Sequence, residues 1–443
     1  MGLFFYPMQG GNEMEDKKLL LDVHERPKFA KWIVLSIQHV FAMFGATILV
    51  PVLTGLPVSV ALFCSGIGTL IYIACTKAKV PVYLGSSFAY ITAVNIAIEQ
   101  MGGDISAAQT GLMLVGLVYV IVALIVKVIG KDWIDKLLPP IVIGPMIAVI
   151  GLGLAPTAIS QAGFVAGGDI RNMVVAIFTF VVTALVSTKA KGFFKIIPFL
   201  CGIACGYVFA ALLGIVDFTP VVDVISKGKL FALPEFYLPF STNGFFNVYS
   251  LYFGPETWAM VPVALVTISE HIGDHTVLGK VCGRNFLKEP GLDKTLMGDG
   301  IATAVSGFLG GPANTTYGEN TGVVGMTKIA SIWVIGLAAC IAIGLSFLPI
   351  VQAIIQTIPQ PVLGGMALML YGVIASNGLS VLVENQINFG IQRNLIIVAV
   401  MLVIGIGGAV LPIGNIVTLS STAFSAVVGI VLNLVLPSEE KSN

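Results

Sequence analysis

The stretch Gly311-Pro-Ala-Asn-Thr-Thr-Tyr-Gly-Glu-Asn320 interrupts strongly apolar sequence with residues that favour bends and hydrogen bonds. A second stretch of the same character, Tyr83-Leu-Gly-Ser-Ser-Phe-Ala-Tyr90, lies in the first half of the chain. Non-helical backbone within a bilayer has to be buried in protein or line a wet cavity, because lipid offers its N–H and C=O groups no partners. The two stretches therefore predict broken membrane segments whose backbone groups can bind a polar solute.

The composition is that of a membrane protein. Of the 443 residues, 56% are hydrophobic and only 10% are charged, whereas a soluble domain carries about a quarter charged residues. The net charge of zero offers no basic patch for nucleic acid, and the six cysteines form no metal-like pair. We therefore predict an all-α polytopic membrane protein in the lipid bilayer, with no metal site and no nucleic-acid partner.

Apolar runs of the length that crosses a bilayer, roughly 20 residues, predict fourteen transmembrane segments. Segments 3, 9 and 10 are short or broken by glycine. The fourteen segments lie near 30–51, 58–76, 81–98, 108–128, 137–157, 172–188, 194–214, 257–276, 297–309, 315–328, 330–348, 360–378, 394–411 and 419–436.

The distribution of Lys and Arg predicts the orientation. With the N-terminus in the cytoplasm, 20 of the 23 basic residues fall inside and only Arg171, Lys227 and Lys229 fall outside, as the positive-inside rule requires. We therefore predict a multi-pass protein of the cell (cytoplasmic) membrane with both termini in the cytoplasm. The charged start of the chain lacks the apolar core of a cleavable signal peptide, and Met14 is an alternative start.

The longest outside loop, about 215–256, divides the segments into two sets of seven, and the broken segment is the third of each set. Because seven is odd, the second set lies upside down relative to the first. Transporters built from inverted repeats have this pattern, with discontinuous helices that meet near mid-membrane. A carrier of a small solute is therefore favoured, and the alternative is a pair of glycine-rich packing kinks.

Three carboxylates, those of Glu270, Asp274 and Glu319, lie at membrane depth, where a charge is costly and usually has a role. Glu270 and Asp274 are four residues apart and share one face of segment 8. His271 and His275 form a second such pair about 100° round the helix. Neighbouring carboxylates away from water can take up and release a proton near neutral pH. Alternatively, Asp274 and His275 are solvated side chains at the cytoplasmic helix end.

Three further residues have open roles. Glu319 directly follows the second broken stretch, at the first turn of a predicted half-helix, where negative charge is favourable. It is therefore a candidate both as a helix cap and as a ligand. Gln38 and His39 lie within segment 1, where a lone histidine is more often a hydrogen-bonded packing residue than a ligand.

The segment Glu319-Asn-Thr-Gly-Val-Val-Gly-Met-Thr-Lys328 closely resembles the signature of the nucleobase–ascorbate transporter family, also called nucleobase:cation symporter 2. Three other stretches resemble the same family in the right order: Gln38-His39 with AMFGATILVPVLTG, then YLGSSFAY, then SEHIGDH. The resemblance covers the chain from about Lys17 to Leu436. With Glu in the signature, the chain is most similar to bacterial uracil permeases.

The resemblance implies two inverted repeats of seven segments, with short strands in segments 3 and 10 that cross at the substrate site. It also implies a core domain of segments 1–4 and 8–11, and a gate domain of segments 5–7 and 12–14 through which two copies form a homodimer. The implied divisions are a cytoplasmic tail 1–29, core 30–128, gate with outer loop 129–256, core 257–348, gate 349–436 and cytoplasmic tail 437–443.

The function that the resemblance implies is proton-coupled uptake of uracil by alternating access, with the proton as coupling ion, no cofactor and no enzymatic activity. Residues that match or adjoin the family's substrate site are the carboxylates Glu270 and Glu319, the backbone N–H groups of Phe88 and Gly318, and the neighbours Tyr317, Tyr371 and Ser87. Candidates for proton coupling are Glu270, Asp274 and His275, and the match to the family's segment 1 pair is Gln38 with His39.

One position departs from the closest uracil carriers, which have His four residues after the segment 8 Glu, where this chain has Asp274. Xanthine carriers of the family have Asp there, but they usually have Gln in place of Glu319. A xanthine, urate or other purine carrier on the same scaffold is thus the alternative. A more remote alternative is an anion carrier or channel of the related seven-plus-seven fold, which the site carboxylates disfavour because they would repel an anion.

The predicted topology can be tested by labelling single cysteines on a background without native cysteines. Cysteines at Gly168 and Gly228 should react with an impermeant thiol reagent from outside, whereas one at Gly283 should react only from inside. The reverse pattern would contradict the fourteen-segment topology.

Overall fold

A computed structural model describes residues 19–414 and 417–437. Residues 1–18 and 438–443 of the predicted cytoplasmic tails, including Met14, lie outside this described part. The helices of the first half are α1 Phe29–Thr54, α2 Val58–Cys75, α3 Ile91–Gln100, α4 Ser106–Ile129, α5 Asp132–Leu137, α6 Pro140–Gly153, α7 Ala155–Gln161, α8 Ile170–Lys189, α9 Phe193–Ile196, α10 Pro198–Leu212 and α11 Thr219–Ser226. Those of the second half are α12 Pro255–Trp258, α13 Val263–Cys282, α14 Leu292–Phe308, α15 Gly318–Thr327, α16 Ile332–Ser346, α17 Pro349–Gln356, α18 Gln360–Glu384, α19 Gln392–Ile406 and α20 Ser421–Val435.

Short strands and turns lie between these helices. The strands are β1 Leu84–Ser86, β2 Tyr237–Leu238, β3 Asn247–Val248, β4 Asn314–Thr316, β5 Leu411–Ile413 and β6 Val417–Leu419. A 3-10 turn, Phe88–Tyr90, leads into α3, and a π-helical turn, Leu287–Gly291, leads into α14.

Membrane-spanning helices dominate the architecture. Within the described residues, α1, α2, α4, α8, α18 and the combined run of α6 and α7 are each long and apolar enough to cross a bilayer. α16 and α17, which are bent by 81°, form a seventh candidate, and α10, α19 and α20 are apolar but shorter. These helices support the predicted multi-pass protein, whereas the count of fourteen segments remains a prediction.

The strands expected in segments 3 and 10 are present. β1 pairs antiparallel with β4, with Leu84 opposite Thr316 and Ser86 opposite Asn314. The helix that follows each strand, α3 or α15, has only 10 residues and spans about 15 Å at 1.5 Å per residue. Each of these helices therefore crosses only about half of a hydrocarbon core.

α2 holds the paired strands in place. All residues of β1 and β4 are buried, so their backbone groups need protein partners. Thr69 accepts a hydrogen bond from Leu84 N at 2.9 Å, and Ser65 donates one to Leu84 O at 2.8 Å. The side-chain amide of Asn314 donates to Cys64 O at 2.7 Å. One helix thus satisfies backbone and side-chain groups from both halves of the chain.

The helices pack as two groups. In one group α4 packs along α14, and α2 packs along both α14 and α16. In the other, α18 packs against α6 and α8, and α19 packs against α20. α4 and α14 approach backbone to backbone, because a Cβ atom on Gly116 would collide with the backbone of Gly300 and Ala304. The division of the chain into core and gate domains remains a prediction.

The structure adds to the predicted pattern in three places. The loop predicted at about 215–256 contains α11, and the connection between predicted segments 11 and 12 contains α17, which packs against α11. α13 begins after Pro262 and runs to Cys282, six residues past the predicted end at 276. It continues because Leu278 and Cys282 are buried in a hydrophobic cluster that also contains Phe286.

The close contact of α4 with α14 predicts a strong effect of one methyl group. A Cβ on Gly300 would lie 2.7 Å from the Tyr119 side chain and 2.8 Å from Gly116 O, so Gly300→Ala should destabilise the protein by about 1–3 kcal/mol. The matched control is Gly344→Ala in α16, which has open space around it and should be neutral or stabilising. Thermal unfolding in detergent tests this, and a Gly300→Ala melting temperature at or above that of the control would contradict the packing.

Candidate functional site

The two strand–helix junctions meet where β1 crosses β4. The hydrogen bonds continue past the strand ends, from Ser87 N to Ala313 O at 2.9 Å and from Tyr317 N to Tyr83 O at 3.0 Å. Beyond them the chain turns helical at Phe88 and at Gly318. The first N–H groups of a helix have no intrahelical partner and carry partial positive charge. Both junctions therefore present hydrogen-bond donors to the same place.

A cavity lies at this place, lined by residues of both halves. Its carboxylates come from α13 and from the first turn of α15, its hydroxyl groups come from the strands, and its apolar residues come mainly from α6 and α18. The lining residues are Ser86, Ser87, Phe88, Ile147, Glu270, Asp274, Thr315, Thr316, Tyr317, Gly318, Glu319, Ile374 and Asn377.

α13 presents its two carboxylates to the cavity. Glu270 and Asp274 lie one helical turn apart on the same face, as their spacing predicts. Thr316 of β4 donates a hydrogen bond from Oγ1 to Asp274 Oδ2 at 3.3 Å. The alternative of Asp274 as a solvated side chain at the helix end is wrong, because α13 continues for two more turns.

The other face of α13 is buried against α2 and α14. His275 is fully buried, with Nε2 2.5 Å from the Tyr72 hydroxyl and Nδ1 2.7 Å from His271 O. It is therefore neither at a solvated helix end nor in the cavity lining. His271 Nδ1 lies 2.8 Å from Oδ2 of Asp299 on α14. Asp299 is a further buried carboxylate that was not predicted, although its position within predicted segment 9 was a usable signal.

α15 places Glu319 at the cavity and is held by segment 1. Glu319 lies in the first turn, the position expected for a cap or a ligand. The next residue, Asn320, donates from Nδ2 toward His39 O at 3.2 Å and lies 3.1 Å from His39 Nδ1. His39 and the buried Gln38 are absent from the cavity lining. In this structure His39 connects α1 to the helix that carries Glu319.

Tyr317 connects both strands to α1. Its hydroxyl donates to Ser86 O at 3.0 Å and accepts a hydrogen bond from Thr47 Oγ1 at 3.1 Å. The ring lies over Gly85, where any Cβ atom would collide with it. Gly85 is therefore required for the close approach of Tyr317 to the strand.

Aromatic residues and residues of α6 and α18 complete the surroundings. Phe88 lines the cavity, and its ring centroid lies 6.1 Å from that of Tyr371 at 77°, in an edge-to-face contact. Tyr371 is buried behind Phe88 rather than in the lining. Ile147, Ile374 and Asn377 also line the cavity but were not predicted. The two isoleucines give no local signal of which residue faces a cavity, whereas Asn377, a polar residue within predicted segment 12, was a usable one.

The arrangement suits a flat, neutral, polar solute. Carboxylates of α13 and α15 can accept hydrogen bonds from N–H groups, while the helix N-termini at Phe88 and Gly318 can donate to carbonyl groups. Phe88 offers an apolar surface for a ring. A soluble anion would be repelled by the nearby carboxylates, so the lining disfavours a negatively charged ligand.

Residues 30–414 match the Permease family (Xan_ur_permease). The chain is 48% identical over 431 residues to a uracil permease of Bacillus caldolyticus, with 96% of each chain covered. It is 45% identical over 435 residues to a uracil permease of Bacillus subtilis (strain 168), covering 97% of this chain and 98% of the relative.

Among solved structures, the transmembrane domain of the cyanobacterium bicarbonate transporter BicA aligns with a TM-score of 0.62, covering 93% of this chain and 99% of that domain. At 14% identity this likeness is one of fold alone. The sequence relatives confirm the resemblance drawn from the four motifs, and with it a transporter rather than an enzyme. The chain belongs to the Permease family.

Proposed function

We propose that the protein takes up uracil across the cell membrane together with a proton, by alternating access of the cavity to the two sides. The single observation that carries the proposal is the cavity at the strand crossing, where carboxylates of both halves face donor groups of both strand–helix junctions. Relatives that share 48% and 45% of their residues with this chain are uracil permeases.

The donor and acceptor pattern of uracil matches this lining. Its ring carries N–H donors beside C=O acceptors, so Glu270 and Glu319 would accept from the N–H groups. The backbone N–H groups of Phe88 and Gly318 would donate to the carbonyl oxygens. A site that hydrogen-bonds its ligand in this way rejects analogues with the wrong pattern, since buried polar groups would then lose their partners.

A purine carrier is the second candidate, and the observation that favours it is the position of Asp274 in the cavity lining. Xanthine carriers of the family have Asp at the position of Asp274. Glu319, by contrast, is the residue that resembles the uracil carriers. An anion carrier on the same fold is disfavoured by the carboxylates that line the cavity. Competition among uracil, thymine, xanthine and urate for the purified protein would separate the two base classes.

The proposed architecture is two inverted repeats of seven segments with both termini in the cytoplasm. The matching order of strand, short helix and long helix after α2 and after α14 supports it. The core would comprise 30–128 with 257–348, and the gate 129–256 with 349–436. Residues Ile147, Ile374 and Asn377 would then face the core across the cavity. We also propose a homodimer through the gate domains.

Glu319→Gln is expected to weaken uracil binding or shift preference toward purines while the protein still folds. The reason is the loss of one charge-assisted hydrogen bond, worth about 1.5–3 kcal/mol, which corresponds to about ten- to a hundredfold in affinity. Equilibrium binding of labelled uracil measures this, with Glu99→Gln at the exposed end of α3 as the matched control. Unchanged affinity and selectivity in Glu319→Gln would leave Glu319 as a helix cap only.

Glu270→Gln is expected to abolish accumulation of uracil driven by a pH gradient while some exchange of uracil across the membrane persists. The amide mimics the protonated carboxyl group, so the site can still bind the base but cannot release a proton. Uptake and counterflow in proteoliposomes distinguish the two activities, again with Glu99→Gln as control. Accumulation by Glu270→Gln equal to that of the unmodified protein would refute the proton role.

A further inference from the structure

A second cavity opens at the end of α1, on the side that the charge pattern assigns to the outside. It has a volume of about 330 Å³ and lies between the α1–α2 turn, the chain around Glu235, and α17 with the start of α18. We call it the outer cleft. Neither the motifs of the sequence nor the central cavity accounts for it.

Carboxamide side chains dominate the polar lining of the outer cleft. Gln352 and Gln356 are one turn apart on α17, and Gln360 is the first residue of α18. Gln352 donates from Nε2 to Ser346 O at 3.2 Å, which leaves its carbonyl oxygen as an acceptor. Within the described part of the chain, the side chains of Gln356 and Gln360 make no hydrogen bond. Their donors and acceptors are thus available to a ligand.

Glu235 is the one charged residue of this lining. Its backbone N–H donates to Ser59 Oγ at 3.2 Å, which fixes the loop against the start of α2. Within the described residues its carboxylate forms no salt bridge. A lone carboxylate beside three carboxamides accepts N–H groups and repels anions.

The remaining walls of the outer cleft are apolar. Pro51, Val52 and Leu56 line one side, and Ile355 and Ile358 line the other. Apolar walls with a few convergent polar groups are the usual composition of a small-molecule site. A planar ring can lie between such walls while the polar groups at its edge form hydrogen bonds with the carboxamides.

The outer cleft and the central cavity border the same hydrophobic cluster. Val52 and Ile358 line the outer cleft and Phe88 lines the central cavity, and all three pack against this cluster, which includes Leu49, Val50 and Tyr371. The cluster therefore connects the packing of the two cavities.

We propose that the outer cleft is a capture site for the same class of solute, a neutral planar ring with adjacent N–H and C=O groups. The inference rests on the proposed function for the choice of ligand. A carboxamide has an N–H donor next to a C=O acceptor. Gln356 and Gln360 can therefore form paired hydrogen bonds with the adjacent N–H and C=O groups of the ring, as two amides do with each other. Glu235 disfavours anionic rings. The solute would then move to the central cavity when the hydrophobic cluster that borders both cavities rearranges.

The test uses the full-length protein with Tyr237→Trp as a fluorescent reporter, since Tyr237 lines the outer cleft. The fluorescence of the introduced tryptophan is obtained by subtracting the signal of the parent protein. This fluorescence should change with uracil concentration and reach saturation. The change should persist when Glu319→Gln weakens the central site. It should require about ten times more uracil in Gln356→Leu/Gln360→Leu, as expected for two lost hydrogen bonds. Gln100→Leu, an exposed glutamine at the end of α3, is the matched control and should leave the change intact.

Central binding is measured in parallel with labelled uracil, so the two proposals can fail separately. Normal central binding without a saturable reporter signal would overturn the capture site alone. A signal that is lost in Glu319→Gln but survives Gln356→Leu/Gln360→Leu would overturn it as well, because it would report the central site. Absence of any labelled uracil binding would instead contradict the proposed function.

Discussion

The antiparallel pairing of β1 with β4 is the interaction on which the rest of the structure depends. It joins residues more than two hundred positions apart and places both strand–helix junctions at one point. The pairing also satisfies backbone hydrogen bonds, because extended backbone within a bilayer has to find its hydrogen-bond partners in the protein. The strands bond to each other, Ser65 and Thr69 of α2 bond to the backbone of Leu84, and Thr303 of α14 donates to Asn314 O.

α13 shows how one helix can serve a cavity and a packed interior at once. Residues four apart in an α-helix lie on the same face. The residue that follows each of them lies about 100° further round the helix axis. Glu270 and Asp274 therefore face the cavity, whereas His271 and His275 face α14 and α2. The buried histidines of the second face bond to neighbouring helices, His271 to Asp299 of α14 and His275 to Tyr72 of α2. The same arrangement keeps the carboxylates of the first face in a fixed position beside β4.

Much of the site could be predicted from local sequence. Polar residues in apolar segments are rare because their burial in a membrane is energetically unfavourable, so each one is informative. Glycine, serine and threonine clusters marked both strands, and the spacing of Glu270 and Asp274 marked the face of α13. The resemblance added the backbone N–H groups of Phe88 and Gly318, which no side chain marks in the sequence. By contrast, α11 and α17 were missed because short amphipathic helices lack a long apolar run. Ile147 and Ile374 look like any lipid-facing or packed residue, so only the tertiary arrangement distinguishes them.

The proposed function requires that one solute be held at the strand crossing by groups from both halves of the chain. The most direct test is an experimental structure of the protein with uracil bound, at a resolution that locates the ring. We expect density for the ring between α13 and α15, within hydrogen-bond distance of Glu270 and Glu319 and of the backbone at Phe88 and Gly318. A ring bound elsewhere with this cavity empty, or held by one half of the chain alone, would contradict it.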